Sequence, residues 1–258
     1  MAETPTPDSA PAELVHYDVA DAVATITLDS PHNKNALSRQ LVTELFERLE
    51  RAAADPEVRV VLLASADRVF CSGADLSEAA TVSMEEGTRR IVELQRLIVS
   101  LDKPVVVCVR GAARAGGIGV VAAADIAMVA DDATFALTEV KLGLAAATIS
   151  LTVLHRMNPR AASLTTLGGE VFTGRDAAAY GLVTAAVPAD DLDAEVARVC
   201  ASLATGAPQG LRESKRLLNR DLLARIDALG EEMAEVSTRL FGSDEAREAM
   251  LAFLTRKK

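Results

Sequence analysis

Two short segments carry residue types that could do chemistry. Glycines cluster in Arg110–Asp125 (RGAARAGGIGVVAAAD), which follows a predicted buried strand over 104–109 and continues with small, helix-forming residues. A helix that begins at a glycine turn presents unpaired backbone N–H groups, which attract negative charge. The segment Phe70–Leu76 (FCSGADL) leaves another predicted strand in the same way. We predict that the N–H groups of Ala74 and Gly116 meet at one oxygen atom and form an oxyanion hole.

The same glycines have a simpler interpretation. Glycine is common wherever the backbone bends sharply, so both segments could be ordinary turns without a ligand. Gly116, Gly117 and Gly119 do not make a dinucleotide-binding fingerprint, because the full glycine spacing is absent and no acidic residue ends a second strand at the required separation. From the residues alone, the oxyanion hole and the plain turns both stay open.

One carboxylate could work beside this turn. Glu139 lies in the run Phe135–Lys141 (FALTEVK), just before Leu142 and Gly143. A carboxyl group in a largely apolar pocket has a raised pKa, which suits proton transfer near neutral pH. The alternative is a surface glutamate that pairs with Lys141 or Arg114.

Composition limits the compartment and the partners. The net charge of −10 argues against nucleic acid and anionic membranes as partners. No apolar run is long enough to predict a membrane helix. The segment 1–11 is acidic and proline-rich, unlike a signal peptide, and the three cysteines are scattered, as in a reducing compartment. We therefore expect a cytoplasmic protein, and no histidine or cysteine spacing predicts a metal site.

Hydrophobic periodicity predicts alternating strands and helices that position these segments. A hairpin is predicted over 14–28, and a helix capped by Ser38 follows it. The order strand, helix, strand continues to a last strand at 182–187, with spacings that fit right-handed parallel crossovers. The predicted fold class is α/β, divided into a disordered tail over 1–11, a core over 12–188 and a helical C-terminal region over 189–258.

Four motifs occur in one order along the chain: PHNKNAL at 31–37, VFCSGADL at 69–76, RGAARAGGIG at 110–119 and TEVKLGL at 138–144. Each is weak alone, but the ordered set resembles the crotonase superfamily, the enoyl-CoA hydratase/isomerase family, over nearly the whole chain after residue 12. The resemblance implies a crotonase-like (ClpP/crotonase) spiral of ββα units with a C-terminal helical region for trimerisation or as a lid. It also implies homotrimers or dimers of trimers and an acyl-CoA substrate. Coenzyme A would be part of that substrate, and no separate cofactor is expected.

The family's site residues carry over onto matching positions. Ala74 and Gly116 match the two oxyanion donors, which stabilise a thioester enolate, and Glu139 matches an acid/base carboxylate. Asp75 is expected to orient its loop by hydrogen bonding. The predicted substrate-binding and coenzyme A-binding residues are Asn33, Lys34, Asn35, Ala36, Leu37, Ser72, Gly73, Asp75, Leu76, Arg114, Gly117 and Gly119.

One departure from the family pattern bears on the reaction. Hydratases with two carboxylates carry a glutamate where this chain has Gly119, which cannot transfer a proton. A single glutamate resembles Δ3,Δ2-enoyl-CoA isomerases and also bacterial hydratases of the methylglutaconyl-CoA type, and the run Glu139–Gly143 (EVKLG) fits those hydratases better. We expect an enoyl-CoA hydratase-like lyase that adds water to a 2-enoyl-CoA. The alternatives are the isomerase and a non-catalytic acyl-CoA-binding member.

Two cations could bind anionic parts of the substrate. Arg114 stands where relatives have an apolar residue, and it could hold the distal carboxylate of a glutaconyl-type acyl group, since arginine binds carboxylates with two hydrogen bonds. Lys34 is placed to meet a phosphate or the adenine of coenzyme A. Both could equally be solvated or ion-paired surface side chains. The walls of the acyl pocket are expected to come from 79–90 and the C-terminal helices.

Overall fold

The computed structural model describes residues 12–79 and 84–256. The predicted tail over 1–11 lies outside them. Ten strands occur in the described residues: β1 Val15–Ala20, β2 Val23–Leu28, β3 Val60–Ser65, β4 Val69–Cys71, β5 Val105–Val109, β6 Ala112–Arg114, β7 Ile126–Ala130, β8 Thr134–Ala136, β9 Phe172–Thr173 and β10 Ala185–Val187.

Ten α-helices occur in the same part of the chain: α1 Arg39–Ala54, α2 Leu76–Ala79, α3 Glu85–Ser100, α4 Gly116–Ala123, α5 Ala147–Arg156, α6 Pro159–Gly168, α7 Gly174–Ala179, α8 Leu192–Ala204, α9 Pro208–Phe241 and α10 Asp244–Arg256. Short 3-10 helices cover Pro31–Asn33, Glu139–Leu142 and Ala189–Asp191. None of the helices in the described ranges combines the length and the apolar character needed to cross a membrane.

The larger sheet has six strands in the order β1-β2-β3-β5-β7-β10. The predicted hairpin is confirmed, because β1 and β2 pair antiparallel. The remaining neighbours pair parallel, as the alternation of strands and helices predicted. Every residue of β5 is buried, which suits a strand that is covered on both faces.

A smaller sheet in the order β4-β6-β8-β9 was not predicted. Its strands have two or three residues each, too few for a hydrophobic period to be detected. The glycine-rich segment therefore does not pass directly from strand to helix, since β6 lies between β5 and α4. This sheet matters for the site because β4 pairs parallel with β6, and their neighbouring carboxyl ends bring Ala74 and Gly116 together.

Helix boundaries follow the predicted caps closely. The Ser38 hydroxyl accepts a hydrogen bond from Leu41 N at 3.3 Å, so α1 begins where predicted. Helix α3 begins at Glu85 and carries two acidic residues in its first turn, where they interact favourably with the helix dipole. Strand β10 is shorter than predicted, because Leu182 N donates to the carbonyl of Ala177 in a turn.

The C-terminal helices are tied to the core by a buried polar group. Lys215 of α9 is 4% exposed, and its Nζ lies 2.8 Å from Asp125 Oδ2, just before β7. Asn219 donates to the other oxygen of Asp125 at 2.7 Å. Burial lowers the pKa of Lys215, while Asp125 opposes that shift. This network fixes the long helix α9 against the sheet, alongside α3 and α5.

Candidate active site

A cavity of about 1340 Å³ lies between the smaller sheet, α3 and the C-terminal helices. Most of the predicted site residues line it. They come from the loop after β2, the end of β4, the start of α4 and the turn after β8. The predicted residues on the wall are Asn33, Lys34, Ala36, Leu37, Ser72, Ala74, Asp75, Leu76, Arg114, Gly116 and Glu139.

Two backbone N–H groups are free at the centre of this wall. Ala74 is held beside Leu37 by a parallel bridge, and Leu37 N donates to Gly73 O at 2.8 Å. Gly116 is the first residue of α4. In the described residues, neither Ala74 N–H nor Gly116 N–H donates to a protein acceptor. The wall therefore offers two unpaired donors to a ligand oxygen.

Backbone strain is concentrated beside these donors. Ala115, immediately before Gly116, has φ 45° and ψ −120°, a conformation that normally requires glycine. Gly73 has φ +96°, and a Cβ there would lie 2.9 Å from the methyl group of Ala115. The two residues pack against each other, so the strained segment and the Gly73 turn hold the two donor groups in a fixed relation.

Glu139 opens the 3-10 helix after β8 and lines the same cavity. Its Oε2 atom is buried and has no hydrogen-bond partner in the described residues. Burial raises the pKa of Glu139 to about 7. The surface-pair alternative is wrong, because Lys141 pairs with Glu170 at 3.1 Å and Arg114 bonds elsewhere. Glu139 can thus gain and lose a proton near neutral pH.

The loop that carries Ala74 is braced by side chains. Asn33 Nδ2 donates to Asp75 Oδ2 at 3.0 Å, and the Ser72 hydroxyl donates to Asn33 O at 2.9 Å. Burial would raise the pKa of Asp75, but hydrogen bonds from Ser77 and Asn33 lower it below its ordinary value. Asp75 therefore stays ionised and orients its loop, the role expected from the sequence.

Four predicted site residues do not line the cavity. Asn35 is buried, and its amide accepts from Ser30 N and donates to Val69 O, so it supports the loop from behind. Gly73 acts through its turn geometry. A Cβ on Gly117 would lie 2.6 Å from the Cβ of Cys71. Gly119 also faces the protein interior.

Ile149 of α5 fills the space beside Gly119. A Cβ on Gly119 would lie 2.4 Å from Ile149 Cγ2. Ile149 is 1% exposed and lines the cavity, so an apolar side chain occupies the wall where two-carboxylate relatives carry a second glutamate. Behind it, the buried Gln95 donates to Thr148 O and accepts from the Thr152 hydroxyl at 2.7 Å, which fixes α5 against α3.

Arg114 lines the cavity but points back along its strand. Its guanidinium donates to the carbonyls of Ala113 and Thr134 and to the Thr134 hydroxyl. Burial lowers its pKa, and no carboxylate pairs with it in the described residues. The guanidinium thus lies beside the first residue of β8, whereas Glu139 follows the last residue of that strand.

Residues from the two segments that were expected to form the acyl-pocket walls, 79–90 and the C-terminal helices, line the cavity, although the sequence did not identify the individual side chains. Part of the expected wall, 80–83, lies outside the described residues. From 84–90, Met84, Gly87, Thr88 and Arg90 line the cavity, and Ala249, Ala252 and Phe253 of α10 cover it. The sequence offers no local signal for which side chains of α10 form this cover, because α10 meets the 3-10 helix of Glu139 only through the tertiary fold.

Residues 18–258 match the enoyl-CoA hydratase/isomerase family. The chain belongs to this family. A crystal structure of an enoyl-CoA hydratase from Mycobacterium avium is 45% identical, covers 95% of this chain and 97% of that chain, and has a TM-score of 0.88. One from Mycobacterium avium subsp. paratuberculosis K-10 is 31% identical, with coverage of 95% and 97% and a TM-score of 0.86. The Danio rerio enoyl-CoA hydratase domain-containing protein 3, mitochondrial, is 27% identical over 92% of this chain and 83% of its own.

Membership of the enoyl-CoA hydratase/isomerase family confirms two predictions from the sequence. The crotonase-superfamily resemblance is correct, and the fold is α/β with a helical C-terminal region, like these solved structures. An acyl-CoA substrate is implied by the family. In the described residues, no group of three or more histidine, cysteine, aspartate or glutamate side chains is arranged to hold a metal ion.

Proposed function

We propose that this chain is an enoyl-CoA hydratase-like lyase that adds water to a 2-enoyl-CoA thioester. One observation carries the proposal. The Glu139 carboxyl group, whose pKa is about 7 and whose Oε2 atom is buried without a partner in the described residues, lines the same cavity as the free N–H groups of Ala74 and Gly116. This combination supplies proton transfer and oxyanion stabilisation without a further cofactor.

Hydration uses Glu139 twice, first as a base and then as an acid, and uses the two N–H groups to stabilise the enolate. The ionised Glu139 takes a proton from water while the water oxygen bonds to C3 of the enoyl group. The C2–C3 π electrons move toward the thioester, and its oxygen becomes negative and accepts hydrogen bonds from Ala74 N–H and Gly116 N–H. Glu139 then returns the proton to C2, the thioester carbonyl re-forms, and Glu139 is ionised again.

A second candidate is the Δ3,Δ2-enoyl-CoA isomerase, and the position of Ile149 favours it. Ile149 occupies the wall beside Gly119, and the nearby Gln95 oxygen accepts from Thr152, so among the described residues no carboxylate stands there to hold a water molecule for attack on C3. An isomerase needs none, since Glu139 alone would move one proton between C2 and C4 through the same stabilised enolate. The third possibility is an acyl-CoA-binding member without catalysis.

Ultraviolet absorbance of the conjugated enoyl-thioester separates the three. With crotonyl-CoA and 3-methylglutaconyl-CoA, hydration removes the absorbance band. With a 3-enoyl-CoA, isomerisation creates the band. Loss of the band with either 2-enoyl substrate supports the proposal. A gain of absorbance with the 3-enoyl-CoA, and no loss with the 2-enoyl substrates, assigns the isomerase. Binding of acyl-CoA with neither change assigns the non-catalytic member. The methylglutaconyl type stays a prediction until this assay is done.

We also propose a homotrimer or a dimer of trimers. Large apolar side chains are exposed together on α6 and just after it, with exposures of 64% for Leu164, 76% for Leu167 and 61% for Val171. Such exposure is typical of a surface that is covered in an assembly. Light scattering on the purified protein tests it, and a monomeric mass would contradict it. The cytoplasmic location also stays a prediction.

A further inference from the structure

Beyond Glu139, the cavity continues into a region that we name the distal pocket. It lies between α3, the end of α9 and α10, and it is lined by Thr88, Ile91, Ser237, Phe241, Ala249 and Ala252. The cavity as a whole, about 1340 Å³, is larger than the roughly 300–1,000 Å³ of most small-molecule sites. Alanine at two of the α10 positions leaves width for a bulky or long acyl group.

Among the described residues, the distal pocket has no unpaired cation to receive a charged acyl end. Arg90 pairs with Glu93 at 3.0 Å and lies over the Phe46 ring, and Arg39 pairs with Glu86 at 3.8 Å. In the described residues, the cavity-lining cations without a carboxylate partner are Lys34 and Arg114. Both adjoin the loop after β4, at the strand side of the cavity. Because a carboxylate buried without a cation is strongly destabilised, a charged acyl end does not fit.

Two buried hydroxyl groups lie in the distal pocket. Thr88 is 3% exposed, and its Oγ1 lies 2.8 Å from Thr238 Oγ1. Ser237 is 6% exposed, lines the cavity and makes no side-chain hydrogen bond in the described residues. The Ser237 hydroxyl opens onto the cavity without a protein partner among the described residues, so a ligand with a matching polar atom gains a hydrogen bond there.

The position of these hydroxyl groups indicates how long an acyl chain must be to reach them. Gln95 of α3 packs behind Gly119 and Ile149. It therefore marks the height along α3 at which two-carboxylate relatives carry their second glutamate. Thr88 lies seven residues earlier in α3, which is about 10 Å along the helix axis. A crotonyl group does not span this distance, whereas an acyl chain of medium length does.

We propose that the distal pocket selects an uncharged acyl group of medium length, carrying a keto or hydroxyl oxygen that hydrogen-bonds to Ser237. This specificity rests on the proposed function for the identity of the substrate as a CoA thioester. It does not require that the thioester be hydrated. The specificity-determining residue is Ser237, and the methylglutaconyl type of substrate is disfavoured because its acyl end is charged.

Calorimetric titration with saturated thioesters tests the proposal, because these ligands cannot be hydrated. The probes are decanoyl-CoA, 9-oxodecanoyl-CoA and a thioester of the same length that ends in a carboxylate. We expect 9-oxodecanoyl-CoA to bind about tenfold more tightly than decanoyl-CoA, because one additional hydrogen bond contributes a free energy of that size. The thioester that ends in a carboxylate should bind most weakly.

Variants assign the preference to Ser237. Ser237→Ala, in which alanine keeps the helix propensity, is expected to bring the ratio of the two dissociation constants close to one. Ser202→Ala, an exposed position on α8, is the matched control and should keep the ratio. Tightest binding by the carboxylate, or a ratio that Ser237→Ala leaves unchanged, overturns the proposal. Selective binding without turnover of any enoyl-CoA would keep this inference and reject the hydratase.

Discussion

Glu139 differs from the other carboxylates on the cavity wall because, in the described residues, no other side chain pairs with it and only its own backbone N–H opposes the effect of burial. Asp75 receives hydrogen bonds from Asn33 and Ser77, and Glu86 pairs with Arg39. Glu139 Oε2 is buried and has no partner in the described residues, so its neutral form is favoured. A carboxyl group that is ionised and unpaired at this position lowers the stability of the folded chain. The same raised pKa allows it to accept and release a proton near neutral pH.

The raised pKa predicts how stability depends on pH. Between the ordinary carboxyl pKa of 4.5 and about 7, the folded chain holds a proton on Glu139 that the unfolded chain releases. This contribution to stability is therefore complete below the unfolded value and is lost as pH rises through 7. Glu139→Gln cannot ionise, so we expect it to exceed the wild type by roughly 2–3 kcal/mol near pH 8 and to match it near pH 4. Urea denaturation measures this, and parallel pH profiles for both proteins would contradict it.

Strain at Ala115 predicts a second effect. Ala115→Gly relieves a backbone conformation with positive φ, and we expect the free energy of unfolding to rise by about 1 kcal/mol. The control is Ala53→Gly, at an exposed helical position on α1, which should lose about 1 kcal/mol. Chemical denaturation compares the two variants. A loss of stability in both would show that Ala115 is not strained.

Individual site residues were predictable where they lie in a recognisable sequence motif. Ala74, Gly116 and Glu139 fall in ordered motifs, and the structure brings them to one cavity. Ile149 and Ser237 were missed, because an isoleucine or a serine in a helix has no distinguishing spacing. Their importance follows from what packs beside them, which a local pattern does not contain.

At the scale of elements, the contact between α4 and α5 decides which chemistry the site can hold. Gly119 of α4 permits the close approach of Ile149, and the Gln95 amide fixes the two helices relative to α3. The same packing excludes a second carboxylate. The long strands and helices were predictable from their periodicity, but β4, β6 and β8 were not, since strands of three residues leave no pattern.

This helix packing predicts opposite effects for two Gly→Ala substitutions. Gly119→Ala should lose about 1–3 kcal/mol, because its Cβ would lie 2.4 Å from Ile149 Cγ2. Gly210→Ala in α9 should gain about 0.5–1 kcal/mol, because nothing lies within 4 Å of its Cβ. Thermal denaturation of both variants checks the signs. If Gly119→Ala were stabilising, the Ile149 side chain would have to move aside without a loss of packing energy, which would contradict this prediction.

At the scale of the whole molecule, the C-terminal helices complete a site that the sheet core begins. Helix α9 supplies Ser237 and Phe241, and α10 covers the cavity. Lys215 and Asp125, ninety positions apart in sequence, hold α9 to the core. The sequence predicted a helical C-terminal region but not this anchoring, because a long-range ion pair leaves no mark in local composition.

The anchor predicts a large loss of stability when one partner is removed. Asp125→Ala leaves the buried Lys215 without its counter-charge, and we expect a loss of about 3–5 kcal/mol. Adding Lys215→Met to that variant should recover part of the loss. The surface pair of Asp102 and Arg216, more than half exposed on both sides, is the control, and Asp102→Ala should cost less than about 1 kcal/mol. Equal losses for the two aspartates in urea denaturation would contradict the anchoring role.

The central claim is that Glu139 transfers the proton in a site that otherwise only binds and polarises the thioester. The most direct measurement compares wild type, Glu139→Gln and the exposed control Glu50→Gln by the loss of enoyl-thioester absorbance, with calorimetric binding of a saturated acyl-CoA alongside. We expect Glu139→Gln to lower turnover by about 10²–10⁴-fold and to keep its binding constant, while Glu50→Gln keeps both. A Glu139→Gln variant that hydrates 2-enoyl-CoA at the wild-type rate would contradict the claim.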